Sequence, residues 1–201
     1  MKSLSLEQLK TARQKALKNA EDLVKDAEVL FEFASYPRVL FLSHIAGEEI
    51  GKYIILTSTF VMLVAGKTIN WRKFWERITS HKVKLELITY MEDIYLDQPF
   101  PDSLKEYFKD LRKQVKDLDR FKQKSLYCDF TEEIPHCPSD LIGKNFAKNA
   151  LVWAKGRLGL FTGIEKEIQK VKILDKITKK SIQEFVKKYG FEKFFKITNE
   201  K

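Results

Sequence analysis

Leu9, Ala16, Leu23 and Leu30 recur every seven residues with Ala20, Ala27 and Ala34 beside them, a spacing that only an amphipathic helix turns into one continuous apolar stripe. Ser5, followed three residues later by Gln8, makes a capping box in which each side chain satisfies a backbone N–H of the other, so the helix is predicted over 6–34. Ser35-Tyr36-Pro37 breaks it and puts proline in the first turn of a second helix. The stripe of that helix runs Val39, Leu42, Ala46, Glu49, Tyr53, Leu56 and Phe60, which places Glu49 on the buried seam. Phe41, Ile45, Ile55 and Val61 make its other faces apolar too, so it belongs at the centre of a bundle. Only 5 prolines and 8 glycines punctuate the 201 residues, and 44% apolar content with 15 Phe is enough for one filled core.

Further along, Gly66-Lys67-Thr68 turns the chain, and Asn70 caps a short helix ending near Ile78. Thr79 or Ser80 caps the next piece, which runs to about Leu96 and is ended by Pro99 and Pro101. Asp102 or Ser103 opens a fourth inner stripe, Leu104, Phe108, Leu111, Val115, Leu118 and Phe121. Residues 126–138 read as an irregular connection, followed by a helix from Ser139 carrying Phe146, Ala150, Ala154, Leu158, Phe161 and Ile168. A basic element over 179–189 stops at Gly190. No run alternates like a strand, and no Gly-rich phosphate loop or internal repeat is present. The expectation is all-α: a mostly antiparallel bundle of about five to six helices in a single domain over 1–201, with 176–201 as a basic C-terminal extension.

The formal charge of +9 points to polyanionic partners, nucleic acid first. The opening Met1-Lys2-Ser3-Leu4-Ser5-Leu6-Glu7 has no apolar stretch of signal-peptide length, and 2 cysteines make no disulfide framework, so a cytoplasmic, reduced protein is expected. The longest uncharged apolar window, 53–66, is too short to span a bilayer, and no integral membrane association is predicted.

Chemistry concentrates in two segments. The first, Ser43-His44-Ile45-Ala46-Gly47-Glu48-Glu49-Ile50-Gly51-Lys52, sets two carboxylates and an ammonium in an apolar run, where a lone charge is costly. Lys52 can pair with Glu48 or Glu49, and His44 lies one turn before Glu48; a register-setting ion pair explains these residues as well as catalysis does. The second, from Trp71 to Lys82, holds Arg77 and His81 four positions apart. With Thr79 or Ser80 as cap, His81 sits in a first turn, where backbone N–H groups favour an anion. Imidazole moves protons near neutrality, and a guanidinium grips phosphate through a fixed fork of donors, which suits RNA cleavage without a metal. A solvated basic patch of Arg77, His81 and Lys82 fits the same residues. Cys128, Asp129, His136 and Cys137 lack the paired-cysteine spacing of a zinc site, so no metal and no cofactor is predicted.

Ala16-Leu17-Lys18-Asn19-Ala20, Glu48-Glu49-Ile50-Gly51-Lys52, Phe74-Trp75 through Ser80-His81-Lys82 and Leu126-Tyr127-Cys128-Asp129-Phe130 together resemble the AbiV-type abortive infection family over roughly residues 6–165. That family is grouped with the HEPN helical domains. The resemblance implies an antiphage role in bacteria, a bundle of four or more helices, a homodimer, RNA as target and a metal-independent ribonuclease site. On this reading His81, Arg77 and Glu49 are catalytic candidates, with Glu48, Lys52, Lys82 and Tyr127 positioning or binding. His81 matches the motif histidine, and Glu49 matches the acidic position of the second HEPN helix. Three residues, including the apolar Ile78, separate Arg77 from His81, where the family motif has four to six with a polar residue after the arginine. A catalytically silent module that binds a phage protein, a ribosomal component or RNA is the alternative, and a phage-encoded activator or target is a further expected partner.

Overall fold

Both halves of the capping box form: the Gln8 N–H donates to Ser5 Oγ at 3.2 Å and the Ser5 N–H donates to Gln8 Oε1 at 2.9 Å, opening α1 (Leu6–Glu32). The computed structural model describes residues 2–96, 120–131 and 133–170. α1 closes two residues before the predicted end, because Ala34 turns left-handed at φ 55° and the Ser35 N–H reaches back to the Leu30 carbonyl at 2.9 Å. Pro37 then sits in the first turn of α2 (Tyr36–Val64). That helix ends at Gly66, whose φ of 73° lets the Lys67 N–H bond the Met62 carbonyl at 2.9 Å.

Asn70 Oδ1 accepts from the Lys73 N–H at 3.1 Å and starts α3 (Trp71–Thr79). Ser80 ends α3 and begins α4 (His81–Leu96) at once: its N–H bonds the Glu76 carbonyl at 3.1 Å, while its Oγ accepts from the Val83 N–H at 3.3 Å. His81 is thereby the first residue of α4, within the first turn that a cap at Thr79 or Ser80 predicts. The stripe expected over 104–118 and the basic element over 179–189 lie outside the described residues; 120–124 is helical.

The connection expected to be irregular over 126–138 contains a small antiparallel hairpin, β1 (Asp129–Thr131) and β2 (Ile134–His136), paired Asp129 to His136, Phe130 to Pro135 and Thr131 to Ile134. Strands of 3 residues are too short to show alternation, which is why no periodic signal betrays them. Cys128 and Cys137 flank the pair as free thiols with Sγ atoms 3.1 Å apart. The helix predicted from Ser139 is split into a turn, α5 (Pro138–Leu141), and the long α6 (Lys144–Lys170), with Ile142 buried between them as an anchor.

α2 is the centre. α1 lies antiparallel along it, with Arg13 near Phe60 at one end and Val24, Ala27 and Val39 in one cluster at the other. α6 runs alongside in the direction of α2, since Gly47 faces Trp153 and Arg157 while Tyr53 stacks edge-on against Phe161. At the end where α1, α2 and α6 converge, Ala27, Ala46, Ala147 and Ala154 are fully buried, and such short side chains let helix axes approach closely. The other end is filled by larger groups, among them Ile50, Phe60, Phe74, Phe161 and Ile168. No described helix is long and apolar enough to cross a membrane.

One charged pair crosses this core. Arg13 of α1, fully buried, meets Glu165 of α6 at 3.0 Å, and Tyr53 of α2 donates its hydroxyl to the same carboxylate at 3.0 Å. The Arg13 guanidinium also lies 5.3 Å from the Phe60 ring centre. Burial, and then the Glu165 charge, push the Tyr53 phenol far up, so it stays a donor. Glu165→Ala should therefore lower the unfolding free energy by about 3–5 kcal/mol, because it strands a buried guanidinium. Urea denaturation measures this, and a loss under 1 kcal/mol would mean that Arg13 finds water there.

Candidate functional site

The carboxylate of Glu48 is the convergence point of α2, α4 and the segment 120–125. Its residue is 3% exposed. Lys122 donates to Oε1 at 3.0 Å, Lys84 Nζ stands 3.4 Å from Oε2, and His81 Nδ1 makes a close hydrogen bond to Oε2. From one turn earlier on α2, His44 Nε2 approaches Oε1 to 3.3 Å, too obliquely for a well-formed hydrogen bond. Burial pushes the Glu48 carboxyl up, but the contacts from His44, His81 and Lys122 outweigh it, so the group is held well below the usual carboxylate range and is ionised.

Local backbone geometry makes this possible. At Gly51 α2 has no side chain, and α4 fills the space: a Cβ built there would lie 2.5 Å from the Lys84 carbonyl oxygen. The first turn of α4 thus packs directly on the backbone of α2, with His81 and Lys84 on the side that reaches Glu48. Arg38 at the start of α2 donates to the Ser125 carbonyl at 3.0 Å and ties down the segment that delivers Lys122.

The imidazole of His81 has two environments. Its Nδ1 edge rests on a buried, ionised carboxylate, while the side chain as a whole is 58% exposed. A carboxylate on Nδ1 fixes the tautomer and ring orientation and leaves Nε2 as the edge that can take or give a proton at a substrate. This is the only buried-acid, exposed-base arrangement among the described residues that the sequence singled out.

Other predicted residues are placed elsewhere. Glu49 is the neighbour of Glu48 and therefore points about 100° away round the helix. Its side chain is 13% exposed and pairs with Lys52 at 2.5 Å, at the edge of a cavity of about 510 Å³ between α1, α2 and α3. Glu48, not Glu49, meets His81; a stripe spaced at seven cannot decide between adjacent positions on a helix that is apolar all round. Arg77 lines a cavity between α2, α3 and α4 with Ser58, Thr59 and Lys73. Lys82 is solvent-facing, with Glu86 at 3.8 Å, and Tyr127 is exposed at the foot of the hairpin.

Sequence reasoning missed Lys84 and Lys122. Lys84 had a usable signal, three residues after His81 and so on the same helical face. Lys122 had none, because its partner is 74 residues away. Among the described residues, no group of three or more His, Cys, Asp or Glu side chains is arranged to hold a metal ion.

The chain matches the family model of the AbiV HEPN domain over residues 8–158, well over half its length, and it belongs to that family. No curated protein and no solved structure matches it.

Proposed function

We propose that the protein is a cytoplasmic antiphage abortive-infection effector that cleaves RNA without a metal and so shuts down translation or phage growth. The observation that carries this reading is the hydrogen bond from the exposed His81 to the buried Glu48. His81 Nε2 removes the proton of a ribose 2′-OH, and the 2′-oxygen attacks the adjacent phosphorus. The P–O5′ bond breaks, leaving a 2′,3′-cyclic phosphate, and the imidazolium supplies the proton that the departing 5′-oxygen takes up. Glu48 steadies the imidazolium as it forms, while Arg77 grips the phosphate as charge builds on it. Glu49 and Lys52 form a half-buried pair that braces α2 beside the site. Lys82 and Tyr127, both exposed, contact the strand as it enters. Two copies meet across a groove that holds the RNA, and the charge of +9 draws the polyanion in.

The test is RNA integrity in phage-infected cells carrying the unaltered protein or His81→Ala, with equal expression and folding. Discrete fragments should appear with the former, and cleavage by purified protein in chelator should fall about 10²–10⁴-fold with the latter. Intact RNA with phage protection retained in both would overturn the nuclease reading.

A second reading has its own observation. Arg77 lies in the pocket with Ser58 and Thr59, only three residues separate it from His81, and a binding module needs no such pair. Such a module would act by occupying RNA, a ribosomal component or a phage protein. Reversing several Lys charges would then cripple protection, while His81→Ala would not.

A further inference from the structure

Cys128 and Cys137 stand one step beyond the pair Asp129 and His136 that closes the hairpin ladder, so the register sets them opposite each other. Their Sγ atoms are 3.1 Å apart and share a hydrogen bond. Facing positions on antiparallel strands put Cα atoms about 4.5–5.5 Å apart, inside the roughly 4.4–6.8 Å that a disulfide spans. A sulfur–sulfur bond of about 2.05 Å therefore asks for about 1 Å of side-chain movement and no change of register.

Both thiols are exposed. A cysteine kept for packing is usually buried, where its sulfur is inert, so packing does not account for this pair. Among the described residues no third His, Cys, Asp or Glu completes a ligand set around them, so the arrangement does not build a metal site. Two accessible sulfurs in contact are instead placed to react with each other. A bond there would have structural weight, because a two-stranded hairpin with strands of 3 residues is marginal by itself, and this one presents Phe130 and Ile134 to solvent.

We propose that Cys128 and Cys137 are a reversible oxidation site that exchanges with low-molecular-weight disulfides and, once oxidised, staples the base of the hairpin. The thiolate of one cysteine attacks the small disulfide, forming a mixed disulfide and expelling one small thiolate, which takes up the proton the cysteine gave. The second cysteine loses its proton in turn and attacks the first sulfur. That closes the bond between the two cysteines and releases the other small thiol. Two electrons pass from the protein dithiol to the small disulfide, and the reverse exchange with excess small thiol reopens the hairpin. The site draws on nothing at His81, so its success or failure is separate from that of the proposed RNA cleavage.

The test equilibrates reduced full-length protein with oxidised and reduced glutathione in varied ratio, quenches by alkylation, and reads the intact mass and the linked peptides. The product should be lighter by two hydrogens, with Cys128 joined to Cys137 within one chain and no glutathione retained. Its equilibrium constant against glutathione should be about tenfold larger in the folded chain than in concentrated urea, where the two sulfurs are no longer held together. C128S and C137S should each keep one glutathione, since no second sulfur is there to expel it. The measurements on the unaltered protein decide the matter even if a variant unfolds. Glutathione retained on both cysteines, disulfides formed only between copies, or an equilibrium constant no larger in the folded chain than in urea overturns the proposal.

Discussion

Glu48→Ala is expected to lower the unfolding free energy by about 3–5 kcal/mol, because it withdraws the carboxylate from the buried ammonium groups of Lys84 and Lys122. Glu48→Gln keeps the shape and removes the charge, and so isolates the electrostatic part. The folded-state pKa of Glu48 lies below its unfolded value, so its contribution is fully present above the unfolded carboxylate pKa of about 4.3 and is lost as pH falls further toward the folded value. Urea midpoints should therefore fall more steeply below about pH 4.3 for the unaltered protein than for Glu48→Gln. Parallel curves would show that Glu48 is not held ionised by its neighbours. Glu48→Gln should also weaken the proposed RNA cleavage, since the imidazolium of His81 loses its counter-charge.

Gly51→Ala should have the second large effect, and on a residue with no chemistry of its own. A Cβ there would sit 2.5 Å from the Lys84 carbonyl oxygen and 2.8 Å from Lys84 C and Cβ. Those are mainly backbone atoms that no rotamer change removes, so α4 must shift, and His81 moves with it. Overpacking of this kind costs about 1–3 kcal/mol. A displacement on the order of 1 Å at the reacting group costs about 100-fold in rate. Gly47→Ala is the control one turn earlier: its Cβ would make an ordinary contact at 3.7 Å with Arg157, and replacing a mid-helix glycine should stabilise by about 0.5–1 kcal/mol. Equal activity for both variants would mean that the approach of α4 to α2 does not set the position of His81.

Much of the frame was legible because it is local. The Ser5–Gln8 box, the Ser35 break, Gly66 and the Asn70 and Ser80 caps each act over three to six residues, and the helices begin and end there within about two residues. His81 in the first turn of α4 follows from a cap at Thr79 or Ser80, and the folded chain uses Ser80. The hairpin at 129–136 was not legible, since its strands are too short for a period and its pairing is between residues only, not along a stripe. Arg13 carries a signal in the sequence: it lies on the same face as Leu9, Ala16 and Ala20, and a charge on an apolar stripe calls for a buried partner. That partner, Glu165, stands on α6, and nothing near either residue names the other.

The sequence by itself determined the all-helical class, the ends of the first helices and the placing of an imidazole at a helix start, because caps and seven-residue stripes work through neighbours along the chain. Only the tertiary structure decided that Glu48 rather than Glu49 meets that imidazole, and that Lys84 and Lys122 join them while Arg77 lines a pocket. The physical reason is separation: Glu48 is 33 residues from His81 and 74 from Lys122, and helices that far apart in the chain find their mutual rotation only when side chains pack, as at the bare backbone of Gly51.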